Sequence, residues 1–128
     1  MELGTPDDLR TELNSLVLAG RKTATTGLLA EYVEETEGLE FVGERLALLN
    51  NDGDSIATIE VTGVELTSFI GVTWEHAAAE GEGDASLDEW RAGHRRFWER
   101  EGTPVQDDTP VVCLAFRVAP TRSGPPTA

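Results

Sequence analysis

Apolar residues recur at helical spacing near the start of the chain. Four of them follow the spacing i, i+4, i+7 and i+8, which predicts one face of a helix: Leu9, Leu13, Leu16 and Val17. Thr5 is predicted to cap this helix, with Pro6 at its first position, and Gly20 is a natural stop. Arg21 and Lys22 therefore emerge directly after a helix C-terminus.

The threonine-rich segment that follows has an ambiguous pattern. Residues 22–26 alternate weakly, as in a short strand or an extended loop. Residues 27–35 have the pattern of a second helix, which ends at residues 36–38, with Thr25 or Thr26 as its cap. Because a helix N-terminus offers free backbone N–H groups, this segment is a candidate site for a phosphate or a carbonyl oxygen.

Alternating apolar and polar residues predict three strands in the rest of the chain. Residues 44–50 and 55–61 flank a turn at residues 51–54, where Gly53 supplies a positive φ, so they form an antiparallel hairpin. The second strand continues toward Phe69, and residues 110–118 form the last strand. Together with the helices, these strands predict an α+β domain with a small, mostly antiparallel sheet.

Two capped helices are predicted between the hairpin and the last strand. Thr73 caps residues 74–80, and Gly81 ends them. Ser86 and Glu89 form a capping box that opens the second helix. Five residues share one side of that helix: Leu87, Trp90, His94, Phe97 and Trp98.

Length and charge narrow the classes of function. The 128 residues fit one domain, predicted to span residues 1–119, with a disordered tail at residues 120–128. The net charge of −14 argues against binding to long duplex nucleic acid but leaves open a nucleoside or a short single-stranded RNA. The single cysteine, Cys113, excludes an internal disulfide and a multi-cysteine zinc site. The sequence has no signal-peptide pattern and no apolar run long enough to span a membrane, so we expect a cytoplasmic protein with no membrane partner. A homodimer is possible.

Lys22 is the only lysine in a chain that has nine arginines. Arginine serves wherever positive charge alone is needed, so a lysine kept here indicates a compact ammonium or an amine that can lose its proton. The hydroxyls of Thr23, Thr25 and Thr26 lie close to it in sequence. A solvated loop with an accidental lysine is the competing interpretation.

Several of these segments resemble the ASCH domain family. They are the run from Gly20 to Thr26, the segment at residues 41–44 and, most specifically, residues 80–94 within a longer run from Phe69 to Phe97. The resemblance implies a small PUA-like β-barrel of mostly antiparallel strands with flanking helices, and an association with RNA. Some members are ribonucleases, and a short bacterial branch hydrolyses the amide of N4-acetylcytidine.

The resemblance to the short branch implies a catalytic set of Lys22, Thr25 and Glu80. Thr25 would attack the acyl carbon, Lys22 would accept its proton, and Glu80 would position water or protonate the leaving amine with a pKa raised by burial. The wider family's Gly-x-Lys-x-x-Glu-x-Arg motif has Thr25 and Gly27 here in place of Glu and Arg. A plain Lys22–Glu80 ion pair that closes a cleft is the alternative.

Eight further residues are predicted to bind the substrate: Arg21, Thr23, Thr26, Glu82, Asp84, Trp90, Arg91 and His94. His76, Glu80 and His94 could form an open metal site, but hydrogen-bonded histidines are favoured, so no metal and no cofactor are predicted. The acidic residues Glu80, Glu82 and Asp84 either receive amino groups of a base, bind a divalent ion or form a solvated turn, and these alternatives stay open. The preferred function is binding of a nucleoside or short RNA in a cleft, with hydrolysis of an acylated cytidine-type base. The alternatives are a ribonuclease acting on single-stranded RNA and a noncatalytic RNA-binding module.

Overall fold

A four-stranded antiparallel sheet organises the fold in a computed structural model that describes residues 1–35 and 38–120. The predicted helix end at residues 36–38 and the predicted tail at residues 120–128 fall mainly outside the described residues. The helices are α1 (Asp8–Leu18), α2 (Leu29–Glu35), α3 (Trp74–Ala79) and α4 (Leu87–Arg100), and a 3₁₀ turn covers Phe69–Gly71. The strands are β1 (Ala24–Leu28), β2 (Arg45–Leu49), β3 (Ser55–Ser68) and β4 (Pro110–Val118).

The strand order is β1-β4-β3-β2, and every neighbouring pair is antiparallel. β3 is long enough to pair with β2 through its first half and with β4 through most of its length. The register shifts between Val61 and Gly63 and again between Leu48 and Leu49. Because bulges bend a strand and increase its twist, the sheet curls into a half-barrel. This confirms the predicted α+β class and gives the PUA-like architecture.

Strand β4 forms the centre of the core, since apolar residues cover both of its faces. Val111 and Cys113 pack with Phe69, Trp90 and Trp98 beneath α3 and α4. The alternate residues pack toward α1 and α2: Val112 and Leu114 in one cluster, Phe116 in another. The predicted strand at residues 110–118 is confirmed. β1, at the edge of the sheet, lies between the helices that cover the two faces.

The ends of α1 differ partly from the prediction. Asp7 is the N-cap, and its carboxylate accepts a hydrogen bond from the Leu9 N–H at 2.9 Å. The Thr5 hydroxyl donates to that carboxylate instead of capping the helix itself. Gly20 follows the helix with a φ of 75°, as expected of a glycine that ends a helix.

The predicted helix at residues 27–35 begins later than expected. Thr25 and Thr26 belong to β1, where they pair with Leu114 and Cys113, so neither threonine caps α2. The backbone hydrogen bonds to β4 outweigh the local helical pattern at Gly27 and Leu28. The candidate anion site at a helix N-terminus is therefore wrong for these threonines.

The caps of α3 and α4 are confirmed. Thr73 accepts a hydrogen bond from the His76 N–H, and Ser86 accepts one from the Glu89 N–H, both at 3.2 Å. The Glu89 carboxylate reaches back to the Ala85 N–H at 3.2 Å, one residue before the cap. These caps fix where the two helices begin on the sheet.

Candidate functional site

The turn between α1 and β1 brings Lys22 into the interior. The backbone N–H groups of Arg21 and Lys22 both donate to the Leu16 carbonyl, at 2.9 and 3.1 Å. The Thr23 N–H then donates to the Ala79 carbonyl at 2.8 Å, which ties the start of β1 to the last turn of α3. The Lys22 side chain is consequently held beside the end of α3, and it is only 1% exposed.

Gly81 makes this close approach of the two segments feasible. Its φ is 67°, a conformation that L-residues rarely adopt, and a Cβ at this position would lie 2.1 Å from the Arg21 carbonyl oxygen. The glycine therefore lets the chain turn between Glu80 and Glu82 while it touches the backbone that carries Lys22. Both carboxylates are thereby directed at one ammonium.

The Lys22 ammonium is surrounded by oxygen atoms. Its Nζ donates to the Ala24 carbonyl at 2.9 Å and to Glu82 Oε2 at 3.0 Å, and it lies 3.6 Å from Glu80 Oε1. The two carboxylates differ in access, since the Glu80 side chain is 2% exposed and the Glu82 side chain 28% exposed. Lys22 thus links a fully buried carboxylate to one that borders solvent.

Both carboxylate oxygens of Glu80 face hydrogen-bond donors. Its Oε2 accepts hydrogen bonds from the Thr26 hydroxyl and from the Trp90 indole N–H, both at 2.8 Å. Its Oε1 faces His94 Nε2 at 3.4 Å, and Oε2 lies 3.5 Å from His76 Nε2. Burial raises the pKa of Glu80, but hydrogen bonding to His76 and His94 and the charge of Lys22 outweigh it and hold this pKa well below its ordinary value.

The predicted raised pKa of Glu80 is therefore wrong. The sequence indicated burial, which is correct, because the residue is 1% exposed. The sequence also allowed both histidines to group with Glu80 and Lys22 to pair with it, but it did not reveal that these groups and the Trp90 indole all act on the carboxylate together. Glu80 is ionised at neutral pH, so it cannot serve as the resting proton donor.

Hydrogen-bond partners fix the protons of both histidines. His94 Nδ1 lies 2.9 Å from the Trp90 carbonyl oxygen, which can only accept, so Nδ1 carries a hydrogen. Since Nε2 faces a carboxylate, the imidazolium satisfies both contacts. Burial lowers the pKa of His94, but the hydrogen bond and charge of Glu80 outweigh it, so the pKa lies above its ordinary value. His76 Nε2 must likewise donate to the Thr26 hydroxyl at 2.8 Å, because the single hydroxyl hydrogen is given to Glu80.

A cavity of about 260 Å³ opens beside this cluster, between α1 and α4. Its polar lining includes Lys22, Thr25, Thr26, Glu80, Glu82, Asp84, His94 and Arg100, and Leu3, Leu9, Leu13, Phe97 and Trp98 supply apolar wall. A wider cleft of about 920 Å³ adjoins it and shares Thr25, Thr26, Phe97 and Trp98. The smaller cavity, with polar and apolar walls, and the wider cleft therefore meet along these shared residues.

A single family model covers all of the residues that form this site. A model of the ASCH domain matches residues 2–119, nearly the entire chain. The chain belongs to the ASCH domain family.

Several solved structures have the same fold as this chain. The ASCH domain from Lactobacillus crispatus JV V101 is 32% identical with a TM-score of 0.80, and the match covers 92% of this chain and 77% of that one. A protein from Enterococcus faecalis V583 is 31% identical with a TM-score of 0.79, covering 92% and 74%. A hypothetical protein, PH0355, shares the fold at 21% identity and a TM-score of 0.60, covering 84% and 92%. No curated protein sequence matches this chain.

Seven of the predicted site residues of this ASCH domain line the small cavity: Lys22, Thr25, Thr26, Glu80, Glu82, Asp84 and His94. The pairing of Thr25 with Leu114 and of Thr26 with Cys113 puts the two threonines on opposite faces of β1. Because β1 is an edge strand, both can still border one space. Thr26 contacts Glu80, whereas the Thr25 hydroxyl makes no hydrogen bond within residues 1–35 and 38–120.

The other four predicted residues lie elsewhere. Trp90 is fully buried between Phe69 and His94, with ring centroids 5.7 and 4.0 Å away, so neither of its faces is open to a base. Arg91 donates to the Ile70 carbonyl at 3.0 Å, outside the cavity lining. The Arg21 side chain is exposed, and the Thr23 hydroxyl donates to the Ala79 carbonyl at 3.3 Å. None of these four residues lines the cavity.

Sequence reasoning missed several parts of the site. Phe97 lies on the predicted His94 side of its helix but was not assigned to the site, and Arg100, three residues further along, continues that face and was missed. His76 shares a helix face with Glu80, but its bond to Thr26 depends on β1 lying alongside α3. The wall from α1, with Leu9 and Leu13, had no local signal because it depends on long-range packing.

Glu80, Glu82 and His94 also bring three metal-ligand atoms within 4.8 Å of one another. Lys22 Nζ already occupies the space between these carboxylates, 3.0 Å from Glu82. A divalent cation there would meet the ammonium at close range, and we therefore assign the cluster to ion pairing with Lys22. In the described residues no helix has the length and apolar character that crossing a membrane requires.

Proposed function

We propose that this ASCH domain binds a free nucleoside in the cavity beside Lys22 and hydrolyses an acyl group from the exocyclic amine of a cytidine-type base. The family is associated with RNA binding, which makes a nucleobase the natural ligand class. The observation that carries the proposal is the enclosed Lys22 ammonium, held between Glu80 and Glu82 at the wall of a cavity of about 260 Å³.

Size and charge favour a nucleoside over a polynucleotide. The cavity volume is near the lower end of ordinary small-ligand pockets, which begin at about 300 Å³. Among the described residues, the adjoining cleft is lined by five glutamates and one arginine, Arg10. Since each phosphate of RNA carries a negative charge, this cleft disfavours an RNA backbone and suits a neutral ribose.

The polar groups of the cavity match the chemistry of an acylated base. The Glu82 carboxylate, which borders solvent, can accept a hydrogen bond from an exocyclic N–H. The unengaged Thr25 hydroxyl is the nucleophile of the proposal, and Lys22 is the group that receives its proton. Water would then hydrolyse the acyl-enzyme formed in this way.

The test is incubation of purified protein with N4-acetylcytidine, with cytidine measured by chromatography. Wild type should release cytidine, and Lys22→Met should lower kcat about 100-fold or more, the usual effect of losing an acid–base group. Arg45→Met is the matched control, because the Arg45 side chain is 60% exposed and far from this lysine in the sheet order. Thermal unfolding of each variant shows whether it is folded at the assay temperature.

The outcomes separate the candidates. No turnover by wild type would refute the hydrolysis, and equal turnover by Lys22→Met would refute the role of the lysine. Cleavage of single-stranded RNA by a protein that leaves N4-acetylcytidine intact would favour the ribonuclease. Binding of cytidine without any turnover would favour a noncatalytic binding module.

A further inference from the structure

The two carboxylates beside Lys22 are chemically unequal. Both Glu80 oxygens face donors that belong to the folded core, and this side chain is 2% exposed. Glu82 makes one side-chain hydrogen bond among the described residues, from Lys22 Nζ at 3.0 Å, and its side chain is 28% exposed. Only Glu82 can therefore change its protonation and meet a ligand without breaking the core.

Building on the proposed function, we propose that Glu82 is the catalytic residue that carries the proton to the leaving amine. Glu82 lies two residues beyond Glu80, on the far side of the tight turn at Gly81. Its position at the cavity wall, in a direct hydrogen bond with Lys22, couples the proposed base to the proposed acid. The proposal leaves Glu80 as a permanently ionised positioning residue.

The proton balance requires only the Lys22–Glu82 pair. Transfer of one proton from Lys22 Nζ to Glu82 Oε2 creates an amine and a carboxylic acid without changing the net charge. The Thr25 oxygen then forms a bond to the acyl carbon while its proton passes to the amine. The carbon–nitrogen bond breaks, and the leaving nitrogen takes the proton from Glu82, which gives the free amino group.

Hydrolysis of the acyl-threonine restores both groups. The oxygen of water bonds to the acyl carbon, and one of its protons returns to the Glu82 carboxylate. The bond from the acyl carbon to the Thr25 oxygen breaks, and that oxygen regains its proton from Lys22. Return of one proton from Glu82 Oε2 to Lys22 Nζ then restores the resting ion pair. The sum of the stages is amide plus water giving carboxylic acid plus amine, and no other reactant is needed.

The charges around Glu82 support this assignment. Lys22 faces it from the start of β1, Glu80 from the end of α3 and His94 from α4, and Asp84 follows it along the cavity wall. Burial raises the pKa of Glu82, the neighbouring Glu80 charge raises it further, and Lys22 offsets only part of that effect. A carboxyl group whose pKa lies closer to neutrality is a better proton carrier than an ordinary glutamate.

The experiment compares wild type, Glu82→Gln and Glu99→Gln on two substrates, N4-acetylcytidine and its 5-fluoro analogue. Glu99→Gln is the matched control, since Glu99 is exposed on α4 and does not line the cavity. The fluorine makes the amine a better leaving group, so its departure depends less on protonation. Glu82→Gln should lower kcat for N4-acetylcytidine about 100-fold or more, and clearly less for the 5-fluoro analogue.

Each outcome decides between defined alternatives. Wild type that turns over neither substrate overturns the proposed function, and this inference with it. Active wild type with Glu82→Gln within about threefold of it overturns the inference alone. Equal losses on both substrates also overturn it, because they indicate a positioning role. If Glu82→Gln is unfolded at the assay temperature, Glu82→Asp supplies the same comparison with a displaced carboxyl group.

Discussion

Replacing Glu80 by glutamine should destabilise the domain strongly, because the change removes a buried charge and almost no volume. The carbonyl oxygen of the new amide could still accept the hydrogen bonds that Thr26 and Trp90 donate to Glu80 Oε2. The amide NH₂ group would then stand where Oε1 faces His94 and Lys22, at 3.4 and 3.6 Å, so donors would face donors. The perturbation is thus confined to the two cationic partners.

The magnitude follows from the distance between Lys22 and Glu80. At 3.6 Å and an effective dielectric constant of about 20, the attraction between two unit charges is about 5 kcal/mol. Relief of the carboxylate's desolvation offsets part of that loss, while Lys22 stays buried with Glu82 alone. Removal of one partner of a buried ion pair typically costs about 3–5 kcal/mol, and we expect about 3 for this isosteric change. Unfolding in urea at pH 7 measures it, with Glu99→Gln as the exposed control.

The pH dependence gives a sharper test than the single value. The folded-state pKa of Glu80 is lowered, so its contribution is present above its unfolded value near 4.5 and is lost as pH falls through the folded pKa. The folded-state pKa of His94 is raised, so its contribution is present below about 6.5 and is lost as pH rises through the folded pKa. The difference in unfolding free energy between wild type and Glu80→Gln should therefore be largest between about pH 4.5 and 6.5 and shrink on both sides. A difference below about 1 kcal/mol between pH 4.5 and 6.5, or one that does not shrink at lower and higher pH, would contradict the assigned network.

Two further predictions concern the backbone turn and the thiol. Gly81→Ala should lower the unfolding free energy by more than about 2 kcal/mol, which exceeds the cost of about 1–2 kcal/mol for left-handed backbone strain alone, because the new Cβ would meet the Arg21 carbonyl. Gly83→Ala is the control in the same urea titration, since Gly83 has a φ of 89° and open space around it. Equal losses in the two variants would show that the contact at residue 81 is unimportant. Burial raises the pKa of Cys113 to about 11, so a disulfide reagent at pH 8 should label it only after denaturation, and rapid labelling of the native protein would contradict its buried position.

Local signals predicted the elements whose boundaries are set by local chemistry. Thr73 and Ser86 cap α3 and α4 as the sequence indicated, and β4 has the predicted limits. The beginning of α2 was wrong, because residues 27 and 28 pair with residues 112 and 111 on β4, which lies far along the chain. Pairing over that distance leaves no periodic trace in the short segment itself, so tertiary contacts override propensity there.

The features of the site also divide into those that local sequence motifs predict and those that depend on long-range packing. Lys22 and Glu80 could be proposed from the sequence because they belong to recognisable motifs, and the structure places them 3.6 Å apart. The charge state of Glu80 could not be predicted, since it depends on Trp90, His76 and His94 arriving from two different helices. Burial alone pointed to a raised pKa for Glu80. The direction of a carboxylate's pKa shift therefore cannot be predicted from burial unless its hydrogen-bond donors are also known.

The geometry also explains why one lysine persists among nine arginines. An ammonium has three N–H groups, and three acceptors surround Lys22 Nζ: the Ala24 carbonyl, Glu82 and Glu80, at 2.9, 3.0 and 3.6 Å. A planar guanidinium is larger and presents its five donors in a rigid fork, which this arrangement around a single nitrogen cannot accept. The longest of the three contacts is to the carboxylate that already has other donors, and the shortest carboxylate contact is to Glu82. The lysine is therefore bound most directly to the carboxylate that a ligand can reach, as the proposed proton exchange between Lys22 and Glu82 requires.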